Sequence, residues 1–186
     1  MSLRDRQRAD TRQRIQRQAL RLFSDQGYDA TTVNEVADAA GVSAMTVYRN
    51  FPTKEDLVLY DDFDEQAAAS IAELPSTGSL TDRIGRAVLA TIERANTDLL
   101  LVRLQLMIST PALQARHLDS QFRLQEAFVQ AICADDRTVE YAARAAASAC
   151  LGVTHTALLR WAADNGKPNL PTLYSEAFTA VFGHAP

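Results

Sequence analysis

A chain of 186 residues with 47% apolar side chains has room for one large domain or two small ones and enough material for a core. Seven glycines, six prolines and long alanine-rich stretches favour an all-α protein. The polar, arginine-rich start lacks the apolar core of a secretory signal. No run of about 18 apolar residues offers a membrane span. Cys133 and Cys150 are too few for a disulfide framework, and a reduced, cytoplasmic setting is expected. The net charge of −4 argues against a nucleic-acid partner until its distribution is read. Residues 1–54 carry nine Lys/Arg against six Asp/Glu, a net +3, while residues 55–186 carry ten against seventeen, a net −7. A basic head on an acidic body orients the head towards phosphate, although a solvated, charged first helix has the same composition.

In chain order, the first helix is predicted from about Arg6 to Gln26, with Ile15, Ala19, Leu22 and Phe23 at i, i+4, i+7 and i+8. Gly27 stops it and Tyr28 anchors the turn. Thr32, three residues before Glu35, makes a capping box for a second helix whose inward stripe is Val33, Val36, Ala37 and Ala40. Gly41 interrupts, and Ser43 caps a short third helix through Asn50, pinned by Val47 and Phe51. Pro52 blocks continuation. Thr53 with Asp56 caps a long fourth helix from Lys54 to about Glu73. After a break at residues 74–79, Ser79 and Asp82 cap a fifth helix to about Ala95, and a sixth covers about Asp98 to Ile108. Thr110-Pro111 reads as an N-cap followed by proline at the first helical position, opening a seventh helix to about Cys133. Asp135 or Asp136 opens the eighth, to about Ala163, and the ninth spans about Pro171 to Phe182.

The informative stretch is residues 31–54. Two short helices meet at a tight turn in which Gly41 tolerates positive φ. The second of them presents Ala44, Met45, Thr46, Tyr48, Arg49 and Asn50 outward while Val47 and Phe51 face in, as a DNA-reading helix requires. Thr31, Thr32, Tyr48 and Lys54 carry hydroxyl and ammonium donors of the kind that hold phosphates. The elements Ala40-Gly-Val-Ser43, Thr46-Val-Tyr48 and Phe51-Pro-Thr-Lys54 resemble, in residues and spacing, the DNA-binding domain of the TetR family of bacterial regulators, over about residues 8–60. The resemblance implies a homodimer on a palindromic operator, each subunit placing its third helix in a major groove. It implies phosphate contacts from Thr31, Thr32, Thr46, Tyr48 and Lys54, and base contacts from Ala44, Met45, Arg49 and Asn50. Thr32 also reads as a simple helix cap, Tyr48 as a half-buried core aromatic, and Arg49 as either a guanine reader or a phosphate contact.

Residues 1–54 are therefore expected to form the helix-turn-helix domain, and residues 55–186 a helical bundle for ligand binding and dimerisation, with about nine helices in all. The segment Arg103 to Arg116, the alanine-rich eighth helix and Trp161 loosely resemble a C-terminal subclass of that family, typified by mycofactocin-system regulators and associated with acyl-CoA-like ligands. Candidate pocket residues are Phe63, Val88, Ile92, Leu104, Met107, Ile108, Phe122, Phe128 and His155, with Arg103, Arg116 and Arg123 for an acidic group. Apolar residues at helical spacing are equally read as plain core. Small residues over Ala142–Gly152, with Leu173, Phe178 and Val181, suit a dimer seam through the eighth and ninth helices, or simply high helix propensity. His117, His155 and His184 lack partners at metal-ligand spacing, and no catalytic motif stands out, so neither a metal site, a cofactor nor an enzyme is expected. The acidic run Glu55 to Glu65 reads as a solvated helix start. The expected function is a ligand-released transcriptional repressor. An activator of the same fold, and a helical ligand-binding protein with a non-functional head, remain open.

Overall fold

The computed structural model describes residues 3–60, 66, 67, 69–71, 78–134 and 137–186, and every regular element among them is helical. In chain order these are α1 (Leu3–Gln26), α2 (Val33–Ala40), α3 (Ala44–Asn50), α4 (Asp56–Leu59), α5 (Leu80–Arg94), α6 (Thr97–Ser109), α7 (Pro111–Ile132), α8 (Glu140–Ala163) and α9 (Leu170–Phe182). A 3-10 turn over Arg137–Val139 leads into α8.

Local chemistry sets these boundaries. Thr32 with Glu35 and Ser79 with Asp82 close reciprocal capping boxes on α2 and α5. Side-chain caps of this kind contribute about 1 kcal/mol each. Hydrogen bonding from Ser79 holds the Asp82 carboxyl below its ordinary pKa. Gly41 ends α2 in the left-handed region, at φ 63°. Asn169 caps α9 by accepting the Thr172 N–H at 2.9 Å, so that helix begins one residue before Pro171.

The fourth helix departs from expectation. Its predicted cap forms: the Thr53 N–H donates to Asp56 Oδ2 at 2.9 Å and the Asp56 N–H to Thr53 Oγ1 at 3.3 Å. Yet α4 ends at Leu59 and Tyr60 is extended, at φ −66° and ψ 126°, although residues 66, 67 and 69–71 of the expected span are helical. The cause is visible at Tyr60. Its ring meets Phe51 edge-on at 5.9 Å, its hydroxyl accepts a hydrogen bond from Arg12, and its carbonyl accepts one from Gln16 Nε2 at 2.6 Å. Residues 61–65, 68 and 72–73 of the expected helix lie outside the described residues, as do Asp135 and Asp136.

The chain divides into two compact units, each discontinuous in sequence. The first joins Met1–Tyr60 to Asp98–His117. Its core holds Ile15, Ala19, Phe23, Val36, Ala40, Val47, Phe51 and Leu57, all buried, and Leu113 of α7 is fully buried in the same cluster. Leu99, Val102 and Leu106 of α6 pack against it. The second unit joins Asp61–Thr97 to Leu118–Pro186. There α8 packs on α5 and on α9. Gly85 permits a close approach of α5 to α9, since a Cβ at that position would lie 2.5 Å from the Phe178 ring. Tyr174 Oη donates to Gly85 O at 3.3 Å, and Trp161 Nε1 to Pro168 O at 3.0 Å. Glu126 and Arg144 pair between α7 and α8. Among the described residues no helix is long and apolar enough to cross a membrane, and no His/Cys/Asp/Glu group is arranged to hold a metal ion.

Candidate nucleic-acid interface

The reading surface starts from α3. Ser43 caps it by accepting the Thr46 N–H at 3.2 Å, and Val47 and Phe51 anchor it in the core at 0% and 1% exposure. With those positions pointing inward, Met45, Tyr48 and Arg49 are exposed on the outer side of α3, whereas Ala44, expected as a base reader, is half-buried and packs against the head core. Met45 is 67% and Tyr48 48% exposed, and Arg49 is exposed as well. Tyr48 is thus no core aromatic. The face offers a thioether chain suited to a thymine methyl, a guanidinium suited to guanine or phosphate, and a phenol that donates to phosphate.

The remaining candidates are partly committed elsewhere. Thr46 exchanges a hydrogen bond with Ser43 Oγ at 2.9 Å, and Asn50 Nδ2 donates to Thr46 O at 2.8 Å. Thr32 caps α2: its hydroxyl donates to Glu35 at 2.8 Å and accepts the Glu35 N–H at 3.2 Å. The Thr32 N–H and hydroxyl together hold the Glu35 carboxyl below its usual pKa. Lys54 Nζ donates to Tyr28 O at 2.6 Å and lies 4.4 Å from the Tyr28 ring centroid. Lys54 thereby ties the start of α4 to the turn after α1. Thr31 departs from the expectation of a phosphate contact. It is 1% exposed, and its hydroxyl donates to Gly27 O at 2.9 Å, so it stands behind the surface and stabilises the turn.

The nine candidate pocket residues are divided between the two units. Leu104 and Met107 of the first unit are buried, and Ile108 is 39% exposed. In the second unit Val88, Ile92 and Phe128 are buried core, whereas Phe122 is 60% exposed. His155 is half-buried, and burial lowers its pKa. Phe63 lies outside the described residues. The three arginines offered for an acidic ligand have local partners: Arg103 on α4 carbonyls, Arg116 on Asp56 and Arg123 on Ser120. On α8 the exposed residues Ala145, Ala149, Gly152 and Thr156 form one stripe of small side chains. Val181 of α9 is 63% exposed, but Phe178 is fully buried within its own unit and is unavailable to a partner.

Comparison with known proteins accords with this arrangement. Residues 15–60 match the family described as bacterial regulatory proteins, tetR family, and residues 79–186 match the MftR C-terminal domain. TcmR of Streptomyces glaucescens, an HTH-type transcriptional regulator, is 32% identical over 62% of this chain, which spans 56% of TcmR's length. The mycofactocin biosynthesis regulator MftR of Mycobacterium tuberculosis is 25% identical over 86% of this chain and 83% of its own. In structure, the fatty acid degradation regulator FadR of Bacillus halodurans superposes with a TM-score of 0.61 at 16% identity, covering 93% of this chain and 95% of FadR. By these matches the chain belongs to the tetR family of bacterial regulatory proteins, with an MftR-type C-terminal domain.

Proposed function

We propose that this protein is a transcriptional repressor that binds a palindromic operator as a homodimer and is released by a small, largely apolar effector. The observation that carries the DNA-binding reading is the exposure of Met45, Tyr48 and Arg49 on one face of a helix whose other face is locked into the head by Val47. Ala44 and Asn50 complete the base readers, and Thr32, Thr46, Tyr48 and Lys54 hold phosphates. The division of labour follows the sequence: residues 1–54 read DNA, and residues 55–186 sense ligand and dimerise. The seam runs along the small-residue stripe of α8 and the outer side of α9. Val88, Ile92, Phe128 and His155 supply apolar walls and a polar handle for an acyl-CoA-like effector. By reciprocity, such an effector binds the DNA-free form better than the DNA-bound form.

Selection from a random duplex library at fixed salt tests this reading. An enriched inverted repeat, with half-site centres about 34 Å apart or a multiple of that, is expected. A long-chain acyl-CoA added to the complex should then release the duplex. Folded protein that enriches no sequence would overturn the regulator reading. Enrichment that the acyl-CoA leaves intact would overturn only the choice of effector.

A further inference from the structure

A cleft of about 640 Å³ lies within the first unit, between the end of α1 with the turn that follows it and the end of α6. Its volume suits a small molecule. The residues proposed for the acyl-CoA-like effector belong to the second unit and take no part in it. Phe23, Val102 and Leu106 give the cleft apolar wall, and exposed Ser24, Asp29 and Ser109 give it polar groups open to solvent. Ser109 spends its hydroxyl hydrogen on Gln105 O at 2.8 Å and Leu106 O at 3.2 Å, which leaves its oxygen lone pairs to accept from a ligand.

Three properties make the field in this cleft negative. Both α1 and α6 end there, and neither carries a basic residue in its last turn. The last four carbonyls of a helix lack intrahelical partners, and together they act as about half a negative charge. Among the described residues that line the cleft, Asp29 is the one charged side chain. Burial first, then the carboxylates of Glu55, Asp29 and Asp56, push the phenol pKa of the lining residue Tyr28 up. Lys54 offsets part of this field. Its ammonium rests on Tyr28 O at 2.6 Å and lies 4.4 Å from the Tyr28 ring centroid, so this corner of the head already holds one ammonium on a turn carbonyl and beside an aromatic ring. We infer that the cleft is a binding site for a small organic cation, an ammonium carried on an aromatic or short alkyl body. The apolar wall covers the body, while Asp29 and the two helix ends draw the charge. The same groups repel a carboxylate or a phosphate, so this site and the proposed effector site select opposite charges. The inference needs residues of the first unit alone and does not rest on the DNA-binding reading.

The test is calorimetric titration of the full chain, at neutral pH, with phenethylammonium, phenethyl alcohol and phenylacetate, which share a body and differ in charge. The ammonium should bind about tenfold more tightly than the alcohol, the scale of two helix ends and one exposed carboxylate, and phenylacetate should give no heat. Asp29→Asn keeps the shape of the rim and should weaken the ammonium about threefold. Ser24→Phe puts a ring into the cleft from an exposed position and should abolish binding, with the melting temperature of the free protein unchanged. No heat with the ammonium at millimolar concentration overturns the inference. Equal affinities for the ammonium and the alcohol overturn it as well, since the field would then select nothing. Ammonium binding that survives unaltered in both variants places the cation elsewhere in the chain and overturns the site. Should Ser24→Phe fail to fold, the Asp29→Asn titration decides alone.

Discussion

Thr31 and Thr32 are adjacent, equal in chemistry and opposite in placement. Residue type and the family resemblance implied the same phosphate role for both, because a one-residue step around a turn is not legible without the turn's φ and ψ. The structure turns the Thr31 hydroxyl back to Gly27 and leaves Thr32 exposed at the head of α2. Thr31→Val is therefore expected to cost about 1 kcal/mol of stability through the unpaired Gly27 carbonyl, with the salt dependence of operator binding unchanged. Arg49→Ala should act the other way, leaving melting alone and relaxing base preference at one position of each half-site, at a cost of about 1–3 kcal/mol. Thermal melts paired with salt titrations of operator affinity separate the two. A salt slope lowered by about 1 in Thr31→Val would return that residue to the phosphate surface, and the same result in Arg49→Ala would make Arg49 a phosphate contact.

Among elements, most helix starts that a side chain closes were legible, the Asn169 cap of α9 being the one missed. Thr32–Glu35, Ser43 and Ser79–Asp82 cap as their spacing predicts, and Thr53 and Asp56 exchange the expected hydrogen bonds in the turn that leads into α4. What ends α4 was hidden, because nothing local in Tyr60 breaks a helix. Its partners Arg12, Gln16 and Phe51 are distant in sequence, and tertiary packing overrides propensity there. The helix over about Asp98 to Ile108 was expected, but not that its Leu99, Val102 and Leu106 pack on the head core. Gly85 was likewise silent in sequence, sitting inside a strongly amphipathic helix. Ordinarily Gly→Ala in a helix interior gains up to about 1 kcal/mol. Here the added methyl meets the Phe178 ring at 2.5 Å and 2.7 Å, so Gly85→Ala should instead lose about 1–3 kcal/mol as α5 and α9 are forced apart. Denaturation of the parent and variant chains checks the sign, and a stabilised variant would mean that the Phe178 ring moves aside freely.

At the scale of the whole molecule, the basic head and acidic body were readable from charge alone, whereas assembly was not, since a small-residue run serves propensity and close packing equally well. Gly152 now separates these readings. It lies inside α8, exposed, and among the described residues nothing beyond its own helix comes within 4 Å of the position a Cβ would take. Nothing among the described residues calls for a glycine there, and the helix forgoes roughly 0.5–1 kcal/mol by having one. If propensity were the purpose of the stripe, alanine would serve better at its centre. If α8 meets its counterpart in a second copy, the missing side chain lets two helix backbones approach, as small residues do at close helix crossings. Gly152→Ala is therefore expected to weaken dimerisation by about tenfold, the scale of one overpacked methyl, even as it strengthens the isolated helix. Sedimentation across a concentration series reads the dimer constant directly. Melting temperature must be compared at matched protein concentration, because a dimer's apparent stability depends on it. A variant with an unchanged dimer constant and a higher melting temperature would place the seam elsewhere and leave the alanine-rich run as helix propensity alone.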